Sequence, residues 1–289
     1  MKENKIDMHL HTMYSDGELS PDELIKRAID HGITTMAITD HDTLEGIERV
    51  NREKEYIQES GIEIINGIEL SAKVPKGRMH ILGYDMNLQD ENLQKSMSQI
   101  KDNSFHSFVT ILEEVNRSYG IKFPFDDVVE TLTREHNLGR PDIARLMLKY
   151  GYVETGKEAF EKYLVEAFEK TRQYRKGLSY EECLNIINQS GGIAILAHPK
   201  SLELDEIEFL RLLKDMIHKG LKGIEVYHSS HSKEEMEYYK EIAEECGLLI
   251  SGGSDYHGPN VKPDIEVGSG KKNNLKIKQL TLLDHIHSK

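Results

Sequence analysis

The chain alternates short apolar runs with longer stretches of helical periodicity. The apolar runs read KIDMHLH, TTMAITDH, IEIINGIELSA, RMHILGYDM, GIAILAHP, GIEVYH and GLLISGGSD. Several of them are almost continuously apolar, as expected of parallel strands that are buried on both faces. Strands that alternate with helices in this way predict an α/β fold built on a parallel sheet, either open or closed.

The first predicted helix has clear start and stop signals. Ser20 and Glu23 form the S-x-x-E pattern of a capping box, and Pro21 occupies the first helical position. Apolar residues then recur at helical spacing until Gly32 ends the pattern. A second helical stretch follows the next strand and ends at Gly61.

Residues 100–180 interrupt this alternation. Apolar residues such as Phe105 and Phe108 follow helical spacing there, and strand-like runs are missing from the sequence. We therefore predict a strand–helix domain formed by residues 1–99 and 181–289, with a small helical insertion between its two parts.

Composition and charge narrow the classes of function. The 289 residues are 38% apolar, and 37 Lys and Arg against 50 Asp and Glu give a net charge of -13. This balance argues against a protein that grips long nucleic acid through a basic surface, but it allows a small anionic substrate held by metal ions. The sequence shows no apolar signal core and no run of the ~18 apolar residues needed to span a bilayer. With Cys183 and Cys246 interpreted as buried free thiols, we expect a cytoplasmic protein with no membrane partner.

Coordinating side chains lie at the ends of the predicted strands. His9 and His11 are two residues apart on the first strand, so they point to one side, ~6.5 Å apart, and can share a metal ion. The other strands add His41 in TDHD, Glu69 in GIELS, His80 in MHILGY, His198 in LAHP, and Asp255 and His257 in GGSDYH. Strand ends converge on one face of an α/β fold, and ionisable groups in such places cost several kcal/mol unless they are paired or bound to metal. Together these residues predict a metal site.

The ligand types indicate which metals and which chemistry to expect. With Asp16 the candidates number nine, six histidines and three carboxylates, which is too many for one ion and implies two or three. Imidazole and carboxylate without thiolate suit Mn, Fe or Zn. Clustered divalent ions with such ligands chiefly serve hydrolysis, especially of phosphate esters, and a carboxylate then bridges a pair of ions.

These motifs resemble those of the PHP (polymerase and histidinol phosphatase) domain family. The stretch DMHLHTMYSDGELSPDELIKRAIDHGITTMAITDHDTLEG is followed in order by GIELS, HILGY, GGIAILAHP and GGSDYHG. The resemblance covers essentially the whole chain. It implies an α/β fold, a distorted (β/α)7 TIM-like barrel with a small helical insertion and a trinuclear metal centre.

The resemblance also implies how the ligands divide among three ions. The first ion would be held by His9, His11, Glu69 and Asp255, the second by bridging Glu69 with His80 and His198, and the third by Asp16, His41 and His257. Glu69 and Asp255 would thereby act in catalysis, and Asp42 would orient a ligand histidine.

Within the family, the insertion and the GRPDIAR stretch resemble the branch that removes phosphate from nucleotides. This implies that the insertion forms a partial lid over the metal face and that Arg140 grips a substrate phosphate. His231 would position the phosphate or protonate the leaving group, and His228 would line the pocket. Related sequences usually carry histidine where Asp142 stands, so this carboxylate must be paired or turned away from the phosphate.

We therefore expect a metal-dependent phosphoesterase that hydrolyses a nucleoside 3',5'-bisphosphate or nucleoside monophosphate by a metal-bridging hydroxide. One alternative is a 5'-to-3' exonuclease on short RNA, which would need a basic and aromatic groove. Candidates for that groove are Arg134, Arg172, Arg175 and Lys176. Two further alternatives are a phosphatase of histidinol phosphate or another small phosphomonoester, and a non-catalytic metal-binding PHP module. The sequence does not determine the oligomeric state.

Overall fold

The structure is a computed structural model, which describes residues 4–52, 61–132 and 137–289. The chain divides into two compact units. The barrel unit comprises Met1–Ser96 and Leu178–Lys289, and the helical unit comprises Met97–Gly177. The second half of the helix predicted before Gly61 lies outside the described residues.

Seven strands form the main sheet, and their order in space is their order along the chain. They are β1 (Ile6–Leu10), β2 (Thr35–Ile38), β3 (Glu63–Ala72), β4 (Met79–Tyr84), β5 (Ile193–Leu196), β6 (Gly223–His228) and β7 (Leu249–Gly253). A separate two-stranded hairpin pairs β8 (Ile265–Glu266) with β9 (Gly270–Lys271).

The prediction of a wholly parallel sheet is wrong for one strand. β4 runs antiparallel to both β3 and β5, whereas the other neighbouring strands are parallel. Only residues 73–78 connect β3 to β4. A parallel crossover needs a dozen or more residues, so this short link permits only a hairpin.

The sheet closes through the segment that follows β7. The backbone N–H of Asp255 donates to the carbonyl of His9 at 2.9 Å, and the N–H of His11 donates to the carbonyl of Tyr256 at 3.1 Å. These hydrogen bonds join the last strand to the first. The predicted distorted seven-stranded barrel is thus confirmed.

Eleven α-helices lie in the described part of the chain. They are α1 (Pro21–Asp30), α2 (Glu45–Arg52), α3 (Glu91–Tyr119), α4 (Phe125–Leu132), α5 (Arg140–Lys149), α6 (Gly156–Ala159), α7 (Val165–Lys170), α8 (Tyr180–Gln189), α9 (Glu206–His218), α10 (Lys233–Cys246) and α11 (Thr281–His287). A π-helical turn (Phe160–Leu164) and two 3-10 turns (Arg172–Tyr174 and Pro199–Leu202) complete the helical segments. None of the helices in these ranges combines the length and apolarity that crossing a bilayer requires.

The N-terminus of α1 confirms the capping prediction. The Ser20 hydroxyl accepts a hydrogen bond from the backbone N–H of Glu23, whose carboxylate accepts from the N–H of Ser20. Both exchanges satisfy N–H groups that a helix start otherwise leaves unpaired.

The helical unit has a hydrophobic core of its own. Phe108 and Ile111 of α3, Ile143 and Met147 of α5 and Leu164 of the π-helical turn are almost completely buried. Burial of five such side chains contributes about 1.5–3 kcal/mol each, before the entropic cost of ordering the chain.

The two cysteines differ in their surroundings. Cys183 on α8 is buried as predicted, whereas Cys246 at the end of α10 is exposed. The prediction for Cys246 is wrong, since its side chain is exposed in the last turn of α10, whereas Ile242, one turn earlier, is buried.

Candidate metal centre

The nine predicted ligands come together in the barrel unit, and the reversal of β4 explains how His80 joins them. His80 is the second residue of β4 and pairs with Ser71, which is next to last in β3. Because β4 is antiparallel, its beginning lies beside the end of β3. His80 therefore reaches the same mouth of the barrel as residues that end the parallel strands.

Glu69 occupies the middle of this cluster. Its side chain is fully buried on β3. Five imidazole nitrogens surround its carboxylate: Oε2 lies 3.1 Å from His9 Nε2, 3.2 Å from His11 Nε2 and 3.2 Å from His41 Nδ1, while Oε1 lies 2.8 Å from His80 Nδ1 and 2.9 Å from His198 Nε2. A carboxylate whose two oxygens face different sets of ligands has the geometry needed to bridge two cations.

The environment of Glu69 keeps it ionised. Burial raises the pKa of its carboxyl, but electrostatic interaction with the imidazoles of His41, His9 and His80 outweighs burial and holds the pKa well below its ordinary value. An ionised carboxylate with no exposure to solvent is costly unless a cation compensates it.

A second group of ligands gathers around Asp16. Ligand atoms of His11, Asp16, His41 and His257 all lie within 4.8 Å of one another. Asp16 Oδ1 is 3.1 Å from His257 Nε2 and 3.8 Å from His11 Nδ1, and Asp16 Oδ2 is 3.8 Å from His41 Nε2. Burial raises the pKa of Asp16, but electrostatic interaction with the imidazoles of His257 and His41 holds this pKa well below its ordinary value.

Asp255 joins His9 and His11 in a third group. Its Oδ1 lies 3.2 Å from His11 Nε2 and 3.7 Å from His9 Nε2. His11 thus lies between the groups predicted for the first and the third ion, and each of its ring nitrogens faces a different carboxylate.

Several ligand atoms in this cluster are buried without a hydrogen bond. They are both ring nitrogens of His11, Nδ1 of His41 and Oδ1 of Asp16. Each buried polar group left unpaired costs about 1–3 kcal/mol. Burial also lowers the pKa of His41 to about 3, so its imidazole is neutral and ready to coordinate. Imidazole and carboxylate donors with unpaired electron pairs fit divalent Mn, Fe or Zn.

Comparison with known proteins identifies the family. Residues 7–226 match the PHP domain family. The chain belongs to the PHP domain family. Curated relatives include a 3',5'-nucleoside bisphosphate phosphatase of Chromobacterium violaceum, 29% identical over 88% of this chain and 87% of that relative. A 5'-3' exoribonuclease of Haemophilus influenzae is 30% identical over 88% of this chain and 90% of that relative.

Solved structures agree with this placement. An amidohydrolase of Chromobacterium violaceum with bound sulfate superposes with a TM-score of 0.81 at 27% identity, over 98% of this chain and 96% of the other. The superposition on a protein of Bifidobacterium adolescentis that is described as a metal-dependent phosphoesterase has a TM-score of 0.74 at 27% identity. It covers 97% of this chain and 95% of the other. This PHP protein is accordingly a metal-dependent hydrolase of phosphoester bonds.

Sequence reasoning missed one buried carboxylate of the PHP site, Glu225 on β6. The ring of His9 donates from Nδ1 to Glu225 Oε1 at 2.8 Å, and the backbone N–H of His198 donates to Oε2 at 2.7 Å. Burial raises the pKa of Glu225, but the charges of His9 and His228 outweigh it and lower the pKa to about 2. The run GIEVYH places an acid inside an apolar strand, as GIELS does for Glu69, and this signal could have revealed it.

Glu225 therefore fixes two ligands of the PHP centre. By accepting from Nδ1 it leaves the electron pair of His9 Nε2 free to coordinate. It also holds the backbone of His198, a non-glycine residue with a φ of 23°. Such backbone strain costs about 1–3 kcal/mol and persists only where neighbouring groups enforce it.

Replacing Glu225 with glutamine tests this arrangement. The amide has one acceptor oxygen, whereas His9 and His198 donate to two different oxygens of Glu225. In the variant, the NH2 group therefore faces one of these two N–H groups, and a donor facing a donor is repulsive. We expect roughly 10- to 100-fold weaker manganese binding, measured by calorimetry on the metal-stripped protein. Glu237→Gln, an exposed carboxylate on α10, is the matched control. Unchanged manganese affinity in Glu225→Gln contradicts the assignment.

Two further carboxylates support the loops that carry ligands. Asp40 accepts hydrogen bonds from the backbone N–H of Thr12 at 2.7 Å and from the hydroxyl of Ser15 at 2.6 Å, which fixes the loop after β1. Asp42 accepts from the N–H of Ser71 at 2.8 Å, and its charge interacts with that of His80. Its role in orienting a ligand histidine stays a prediction.

His231 is buried beside the site, with one ring nitrogen hydrogen-bonded to the backbone. Its Nδ1–H donates to the carbonyl of Val226 at 2.9 Å, so in the neutral ring Nε2 carries no proton. Burial, assisted by the charge of His228, lowers the pKa of His231 to about 4. Both predicted roles of His231, positioning the phosphate and protonating the leaving group, stay predictions.

Arg140 belongs to the helical unit, at the first position of α5. Its guanidinium lies 4.0 Å from the ring centroid of Phe168 and 5.4 Å from that of Phe160, which restrains it by cation–π contact. Asp142, the departure from the family pattern, is buried and paired. Its Oδ2 accepts from the N–H of Gly139 at 2.9 Å and its Oδ1 accepts from Arg145 at 2.8 Å, so it caps α5 with its charge compensated.

Proposed function

We propose that this PHP protein releases phosphate from small nucleotides, namely nucleoside 3',5'-bisphosphates or nucleoside monophosphates. The observation that carries the proposal is the position of Glu69, whose two oxygens each face a different set of histidines in a fully buried site. The relatives support a phosphoester substrate, and one of them is named as a bisphosphate phosphatase.

The side chains of the barrel unit hold the metal ions in this proposal. The nine ligands would hold two or three divalent ions, and the carboxylate of Glu69 would be shared between two of them. When bound, such ions supply an activated hydroxide and neutralise charge on the phosphoryl group. Glu225 orients His9. The neutral His41 and the ionised Asp16 belong to the ligand group predicted for the third ion. The guanidinium of Arg140 remains the predicted partner of a substrate phosphate.

A substrate panel tests the proposal. We expect the manganese-loaded protein to release phosphate from nucleoside 3',5'-bisphosphates and monophosphates at least tenfold faster, in kcat/KM, than from histidinol phosphate. Phosphate release is followed colorimetrically and nucleoside products by chromatography. Turnover of histidinol phosphate alone overturns the nucleotide assignment, and failure to cleave any phosphoester favours the non-catalytic module.

A second candidate is 5'-to-3' cleavage of short RNA, since one relative is named as an exoribonuclease. The segment after α7 offers basic and aromatic side chains for a nucleic acid strand. Arg175 lies 3.4 Å from the centroid of Phe168 and donates to its carbonyl at 2.8 Å, and Tyr174 is 68% exposed, available for stacking on a base. Arg134 lies outside the described residues. Short 5'-phosphorylated RNA in the same panel distinguishes the two candidates, because an exoribonuclease releases successive mononucleotides from the 5' end.

A further inference from the structure

The two oxygens of Asp255 face different surroundings. Oδ1 faces His11 and His9, the predicted metal ligands. Oδ2 faces the other way and accepts a hydrogen bond from Lys262 Nζ at 2.6 Å. The carboxylate of Asp255 thus lies between the ligand cluster and the ammonium of Lys262, which has no role in the predicted metal site.

Lys262 is held in place by the loop that follows β7. Its backbone N–H donates to the carbonyl of Gly258 at 3.1 Å, and its own carbonyl accepts from the N–H of Ile265 at 3.1 Å. About a third of its side chain is exposed. The ammonium therefore lies between a buried ligand and solvent, and two of its three N–H bonds remain beyond the one given to Asp255.

His228 points a second donor at the same oxygen. Its Nδ1 accepts from the backbone N–H of Ser230 at 3.1 Å, so in the neutral ring the proton resides on Nε2. Nε2 lies 3.4 Å from Asp255 Oδ2, and it is buried without a hydrogen bond. An unpaired buried donor beside an ammonium forms a site suited to an anionic oxygen.

We propose that Lys262, assisted by His228, binds an oxygen of the substrate's phosphoryl group next to Asp255. This inference rests on the proposed function and adds a substrate contact to it. Lysine serves as a point charge toward phosphate, and its flexible stem lets it turn from Asp255 Oδ2 to an incoming anion. The ligand class is a phosphomonoester dianion or inorganic phosphate.

Replacement of Lys262 by methionine tests the contact. We expect the manganese-loaded variant to bind inorganic phosphate roughly tenfold to a hundredfold more weakly in calorimetry, the loss typical of one charge-assisted hydrogen bond. Its manganese content, measured by elemental analysis, stays at the wild-type value. KM for the nucleotide substrate rises by a similar factor while kcat changes less, and Lys262→Arg recovers part of the affinity.

Lys271→Met is the matched control, since Lys271 is half-exposed and pairs with Asp264 at 3.7 Å in the neighbouring hairpin. Unchanged phosphate affinity in Lys262→Met overturns the proposal. So does a loss of manganese with unaltered phosphate affinity per loaded site, because Lys262 then serves only Asp255. If the wild-type protein binds manganese and phosphate but cleaves no phosphoester, the proposed function is wrong. The phosphate titration of Lys262→Met still tests the contact in that case.

Discussion

Glu69→Ala is expected to lower phosphate release by roughly a thousandfold or more. Metal ions contribute several kcal/mol of charge stabilisation to such reactions, and each 1.36 kcal/mol changes the rate tenfold. Without Glu69, five imidazole nitrogens lose the shared carboxylate that they surround. Elemental analysis of the purified variant should therefore show fewer metal ions per chain as well.

The fold should survive this substitution. The backbone of Glu69 keeps its hydrogen bonds to neighbouring segments, from its N–H to the carbonyl of Asp40 and from the N–H of Asp42 to its carbonyl. Circular dichroism checks this point, and Glu69→Gln separates loss of charge from loss of volume. Glu63→Ala on the same strand is the control, since that partly exposed side chain pairs with Thr35 and His287 instead. Full activity in Glu69→Ala contradicts the bridging role.

Removal of metal by a chelator is expected to reduce activity at least a hundredfold and to be reversed by added manganese. It should also lower the midpoint of thermal unfolding. A ligand present at 100 times its dissociation constant stabilises the folded state by about 2.7 kcal/mol, which corresponds to several degrees. Scanning calorimetry of the stripped and the reloaded protein measures this shift.

The physical reason for the expected shift is the set of buried ligand atoms without hydrogen bonds, on His11, His41 and Asp16. In the stripped protein these groups are desolvated and unpaired, whereas a bound cation satisfies them. Glu225→Gln should show a smaller response to added manganese, because one ligand is then misoriented. Equal unfolding midpoints with and without manganese contradict a metal centre at these residues.

The apolar runs were sufficient to predict the strands, and the resemblance to the PHP family supplied the closed barrel. Most of the runs carry a coordinating residue in the strand or just after it, as His9 and His11 show, and this pattern predicted the ligand cluster. The direction of β4 was not predictable from its own residues, because an antiparallel strand buried on both faces has the same apolar pattern as a parallel one. The length of the link over residues 73–78 carried that information.

Side chains whose role depends on contacts with distant segments of the chain were the other source of error. Glu225 stands out as an acid within an apolar run, but its role could not be predicted, because it depends on where His9 and the backbone of His198 lie in space. The effect of Asp142 was likewise undecided until its pairing with Arg145 and the N–H of Gly139 was visible. Such outcomes depend on contacts between distant segments, which periodicity does not encode.

The hydrogen bond from Asp255 to the carbonyl of His9 has a consequence for how the enzyme matures. Both residues are predicted ligands of the first ion, and they lie far apart in the sequence, so a nascent chain displays His9 long before it contains Asp255. The predicted ligand set of that ion is therefore complete only after the segment that carries Asp255 has been synthesised and has paired with β1. His9 and Asp255 would both hold that ion, so metal binding would also join the two edges of the sheet that these hydrogen bonds connect and would stabilise the closed barrel.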